Sequence, residues 1–109
     1  MSKASKMTQA KFFVGELIKH RLFGYRGVVI DVDSHFQSSD EWYDMMAKSR
    51  PPKDRPWYHV LVDGSAHSTY VAERNLLRDE ALEEIDHPML EAFFSDFSNG
   101  RYLRIEADN

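Results

Sequence analysis

The stretch from His20 to Asp33, His-Arg-Leu-Phe-Gly-Tyr-Arg-Gly-Val-Val-Ile-Asp-Val-Asp, constrains the fold more than any other part of the chain. After Gly27, the residues Val28, Ile30 and Val32 alternate with Val29, Asp31 and Asp33. Period-2 alternation of this kind marks a half-buried strand and cannot sit as one face of a helix. Gly24 and Gly27 punctuate the approach to it, as turn residues do. The preceding segment, Phe13-Val14-Gly15-Glu16-Leu17-Ile18-Lys19-His20, is also β-prone, with an interior glycine that suggests a bulge. The pair reads as a bulged hairpin opening a small barrel.

Two further strands follow the same logic. From Trp57 to Asp63, Tyr58, Val60 and Val62 occupy one face and Trp57, His59 and Leu61 the other, so both faces are apolar and the strand is expected to be central. Asp63-Gly64-Ser65-Ala66 is a hairpin turn. A fourth strand returns over residues 67–73 and sets His59 opposite Tyr70. Arg74 to Leu77 closes the barrel as a turn or short fifth strand. Between strands two and three, Ser38 to Lys48 begins with Ser and acidic residues like a helix N-terminus, with Trp42, Met45 and Met46 on one face. Arg50 to Pro56 contains three prolines and excludes regular structure. Asp79 to Asp86 is acidic and irregular. Pro88 to Phe97 is expected to be a helix, with Asn99-Gly100 as its stop. Its Met89, Phe93 and Phe97 must then dock on the barrel or on another copy of the chain, which makes a homo-oligomer one expectation.

The fold class expected is therefore all-β with minor α: a small barrel of about five antiparallel strands plus a C-terminal helix. In domain terms, residues 1–10 form a mobile arm, 11–78 the barrel and 79–109 an acidic helical extension. With 109 residues, 42% hydrophobic and seven Phe, the chain supports one modest core. It has no cysteine, which rules out disulfides and thiolate metal or redox sites and fits a reducing cytoplasm. No apolar run approaches the roughly 20 residues of a membrane span, so no membrane partner is expected. Met1 to Ala10 is polar and lacks the apolar run of a signal peptide.

Charge is unevenly spread. Residues 1–78 hold 12 Lys and Arg against 9 Asp and Glu, whereas residues 79–109 hold 2 against 9. The net charge of −4 and isoelectric point near 5.7 argue against a strong duplex-DNA binder, because phosphate neutralisation drives that affinity. Two basic clusters are still candidates for DNA contact: Lys19, His20, Arg21 and Arg26 around the first turn, and Lys48, Arg50, Lys53 and Arg55 in the proline-rich connection. If they converge, they make a basic strip; otherwise they are ordinary solvated charges. Trp42 and Tyr43, on the long insertion, are candidates for contact with a protein partner, since aromatic grooves on small barrels bind peptides.

No catalytic constellation emerges. Asp31 and Asp33 share a strand face, yet no nucleophile or phosphate-binding loop accompanies them. The five histidines form no i, i+4 pair, so no metal site and no cofactor is expected. The chain reads as non-enzymatic.

Three stretches together carry a family resemblance: Lys11-Phe12-Phe13-Val14-Gly15 leading to Ile18-Lys19-His20; Phe23-Gly24-Tyr25-Arg26-Gly27-Val28-Val29 with Asp31-Val32-Asp33; and Pro56-Trp57-Tyr58-His59-Val60 followed by Thr69-Tyr70-Val71-Ala72-Glu73 and Asn75-Leu76. Over about residues 11–77 the chain resembles the hemimethylated-DNA-binding, YccV-like family, whose bacterial members include the heat-shock protein HspQ. The resemblance implies an SH3-like barrel and binding of double-stranded, hemimethylated DNA. For HspQ-type members it also implies a heat-stress role in turnover of unstable proteins, among them the replication initiator DnaA. A role as modulator or adaptor of the ATP-dependent protease Lon is implied in the same way.

Overall fold

The computed structural model describes residues 9–105. Of the expected N-terminal arm, residues 1–8 fall outside that range, while Gln9 and Ala10 are exposed and belong to no element. The architecture is mostly β, with seven strands in two antiparallel sheets. The first sheet holds β1 (Leu17–His20), β2 (Arg26–Asp33), β3 (Trp57–Val62), β4 (Ser68–Ala72) and β5 (Leu76–Arg78), in the order β4-β3-β2-β1-β5. The second is a hairpin of β6 (Phe94–Ser98) and β7 (Arg101–Arg104). Helix α1 (Asp40–Met46) lies in the β2–β3 connection, a 3-10 turn (Glu73–Asn75) links β4 to β5, and the single turn α2 (Leu90–Phe93) precedes β6. Among the described residues, no helix is long and apolar enough to cross a membrane.

The all-β class and the four strands follow the sequence pattern, with β3 central between β2 and β4 and His59 paired with Tyr70. The barrel itself does not close. β4 and β5 end the sheet on opposite sides, and among the described residues no ladder joins them. The first strand starts at Leu17 rather than Phe13, because Gly15 turns the chain at φ +96° just before it. The bulge lies in β2, between Val29 and Asp31.

Alternation along the strands splits the apolar residues into two cores. Ile18, Val29, Tyr58, Val60, Val71 and Leu76 pack with Phe12 on one face. Leu17, Val28 and Leu61 lie on the other, covered by Ile85, Phe94 and Tyr102. The expected helix over residues 88–97 is thus corrected: only Leu90–Phe93 is helical, Pro88 and Met89 form a turn before it, and Phe94 to Phe97 belong to the β6–β7 hairpin. Asn99 and Gly100, at φ +55° and +78°, are its two-residue turn rather than a helix stop. Docking of this segment does occur, with Phe93 and Phe97 partly buried against the second core.

A third cluster holds α1 to the sheet, through Tyr43, Ala47, Trp57 and Ala72 with Phe36, Trp42 and Tyr70 at its edge. Ser39 caps α1 by accepting from the Trp42 N–H at 3.0 Å. The buried face of the helix is set by Tyr43 rather than by the methionines, as Met45 and Met46 are mostly exposed. The hydroxyl of Tyr43 donates to Pro51 O at 2.6 Å and the Trp57 indole to Pro52 O at 3.0 Å. Backbone carbonyls that prolines leave outside any ladder thereby gain partners.

Candidate functional site

The basic residues divide by what neutralises them. Arg26 pairs with the buried Asp79 and with Asp63 at 3.4 Å, and donates to the carbonyls of Glu83 and Glu84. Its guanidinium is held charged chiefly by the hydrogen bond to Asp79, against the opposing effect of burial. That charge is consumed inside the fold. Arg50 pairs with Asp44 at 2.7 Å and lies over the Tyr43 ring, and Lys53 pairs with Asp40 at 3.0 Å over the same ring. His20 is buried and its Nδ1 accepts from the N–H groups of Leu22 and Phe23. Burial, then the neighbouring Arg21, lowers its pKa below the ordinary 6.5, so it is neutral at pH 7.

The remaining cations are different. Arg21 donates from Nε to Arg74 O at 2.9 Å and from Nη2 to Asn75 Oδ1 at 3.1 Å, both neutral acceptors. Arg74 in turn donates to Ser49 O at 2.7 Å, beside Lys48. Lys19, Lys48 and Arg55 are exposed and enter no ion pair among the described residues. The two sequence clusters are therefore joined through Arg74. Sequence reasoning passed over that residue, since it lies in neither cluster and only the return of the chain after β4 brings it between them.

Arg55 and Arg74 line a small pocket with Lys11 and Glu73. Lys48, with Ser49 and Asn75 that accept from Arg74 and Arg21, lines a larger cleft of about 550 Å³, bounded by α1, the β1–β2 turn and the whole of β4. Phe23 forms one wall, stacked on His20 at 4.5 Å between centroids yet 78% exposed. Trp42, Trp57 and Tyr70 form the other, with Trp57 and Tyr70 centroids 5.2 Å apart and Trp42 and Tyr70 5.6 Å apart. Of the two aromatic partner candidates, Trp42 lines the cleft, while Tyr43 is buried behind it. Tyr70 is fixed by donating to Asp33 Oδ2 at 2.6 Å, and burial followed by that bond raises its pKa.

Asp31, Asp33 and His59 place one ligand-type atom each within 4.8 Å of one another. The sequence reading weighed the aspartates and the histidine separately, although the β2–β3 hairpin register, Asp31 opposite His59, unites them. The cluster is internally satisfied. Asp33 accepts from Tyr70 and lies 3.1 Å from His59 Nε2, and Asp31 accepts from the Val32 N–H.

Fold and surface define a small mixed-charge β domain with a cation-lipped aromatic cleft. The chain belongs to the YccV-like family, described as hemimethylated DNA-binding protein YccV like, whose profile matches residues 10–101. The match runs beyond the stretches that carry the resemblance, through the acidic segment and into the β6–β7 turn.

Proposed function

We propose that this protein is a non-enzymatic binder of double-stranded DNA with a preference for hemimethylated sites. The observation that carries the reading is the run of Arg21, Arg74 and Lys48, connected through Asn75 and Ser49 and without carboxylate partners among the described residues, in a chain of this family. Lys19 and Arg55 extend the basic strip, while Arg26, Arg50 and Lys53 spend their charge on Asp79, Asp44 and Asp40. With an acidic balance elsewhere, binding is weak, and it falls with salt in proportion to the phosphates this strip neutralises. A gel shift comparing unmethylated, hemimethylated and fully methylated duplexes of one sequence tests it. Preferential retardation of the hemimethylated duplex is expected, and equal or absent retardation of all three refutes the preference.

In the cell, this reading makes the protein an HspQ-like cytoplasmic heat-shock factor acting in turnover of unstable proteins such as DnaA. A second reading is favoured by the aromatic cleft: an adaptor that contacts a Lon-type protease or its clients, with little direct DNA binding. Pull-down of such a protease beside the salt titration of DNA binding separates the two.

A further inference from the structure

Among the described residues β4 is an edge strand, paired only with β3. Val62 donates its N–H to His67 O, and Glu73 donates to Pro56 O. With the register Val60 opposite Thr69 and Tyr58 opposite Val71, the main-chain groups of Thr69 and Val71 are directed at β3. Those of Ser68 and Tyr70 therefore point away from the sheet, and all of β4 borders the cleft. Unpaired edge groups are a template for another extended segment.

The surroundings state what that segment must be. Phe23 on one side and Trp42 with Tyr70 on the other offer apolar pockets to alternate side chains, the spacing an added strand presents. Lys48 lines the cleft, while Arg21 and Arg74 stand behind it, donating to Asn75 and Ser49, which line it too. Among the described residues the three cations bond only neutral groups or none. Cations left uncompensated beside an apolar trough complement a carboxylate.

We propose that the cleft binds an extended, acidic peptide segment of a partner protein, which adds to β4 as a sixth strand by pairing with Ser68 and Tyr70. Its apolar residues lie against Phe23, Trp42 and Tyr70, and its acidic end meets Lys48 and Arg74. The inference does not depend on DNA binding and gives the adaptor reading its contact surface. Because the lip cations also belong to the DNA strip, acidic peptide and duplex exclude one another there.

The probe is a fluorescein-labelled synthetic peptide, Asp-Asp-Phe-Thr-Phe-Thr-Leu-Asp, titrated by anisotropy with the full chain. Saturable binding is expected, together with slowed hydrogen exchange at the Ser68 and Tyr70 amides. N-methylation of alternate peptide nitrogens blocks the ladder and weakens binding about tenfold or more, the loss of a hydrogen bond or two. Ser68→Pro removes an outward donor at an edge position that tolerates proline and has the same effect. Methylated peptides keep the test valid should that variant misfold. Binding indifferent to N-methylation, or none, overturns the proposal. So do Ser68 and Tyr70 amides already protected in a particle of several chains, where a second copy holds the edge. Protection by a single-stranded oligonucleotide and not by the peptide overturns it as well. Gel shifts of duplex with the wild-type chain report on the DNA reading separately, so either can fail alone.

Discussion

At the scale of single residues, His20 and Gly15 carry the strictest demands. His20 is buried under Phe23 and Tyr25, with Nδ1 accepting two backbone N–H groups, an arrangement only the unprotonated nitrogen supports. Its folded pKa lies below its unfolded 6.5, so the unfolded chain binds the proton more readily. The stability it contributes is fully present above pH 6.5 and is lost as pH falls through the lowered folded value. Urea denaturation at pH 7.5 and in steps below 6.5 should show that loss, and His20→Asn should flatten the dependence while lowering stability at neutral pH. Gly15 has a positive φ, and a Cβ there would lie 2.1 Å from Tyr102 O. Gly15→Ala must move β7 away from the sheet, a cost expected to exceed about 2 kcal/mol by chemical denaturation. The sequence marked Gly15 as irregular, but its crowding partner lies 87 positions along the chain, and no local pattern reveals that. For the same reason the ion pairing of Arg26 with Asp79 was hidden and Arg26 looked free.

Elements differ in how far local pattern determines them. β2, β3 and β4 were legible because β-branched and aromatic residues run through them and the Asp63-Gly64 turn fixes the register of β3 on β4, although a bulge interrupts β2. The C-terminal segment was misread for a physical reason. A register shift between Phe94 and Asp96 adds a residue to β6, so Phe94 and Phe97, three apart, both turn towards the second core. A bulged strand thereby imitates helical spacing. The Asn99-Gly100 pair was the corrective signal, as the dipeptide that two-residue hairpins favour. The hairpin covers Leu17, Val28 and Leu61, and burial of such side chains is worth about 1.5–3 kcal/mol each. Ending the chain after Asp79 should therefore remove more than about 4 kcal/mol, read as a large fall in Tm or as aggregation in light scattering. Phe94→Ala alone should cost about 3–5 kcal/mol. An unchanged Tm in either variant would mean that the hairpin does not hold the second core.

For the whole molecule, surface charge decides more than shape. The acidic segment after β5 does not float free of the basic body: Asp79 and the carbonyls of Glu83 and Glu84 collect around Arg26. What remains outward near the cleft is the Arg21–Arg74–Lys48 run, with Lys19 and Arg55 also exposed and in no ion pair among the described residues. Replacing Arg21, Arg74 and Lys48 with Ala should weaken duplex binding and reduce the slope of log K against log salt by up to about three. The same change at Arg26, Arg50 and Lys53 should alter the slope little, and the reverse outcome would move the DNA surface to the other side. The stitching of the two ends has its own consequence. Tyr102 N–H donates to Gly15 O and the backbone of Arg101 forms a β-bridge with that of Glu16, so the residues leading into β1 wait for those of β7. During synthesis the first core can assemble as soon as β5 emerges, but Leu17, Val28 and Leu61 stay open until β6 and β7 have emerged as well. Each nascent molecule thus passes through a half-covered state that lasts until β6 and β7 are out, and copies stalled before them remain in it.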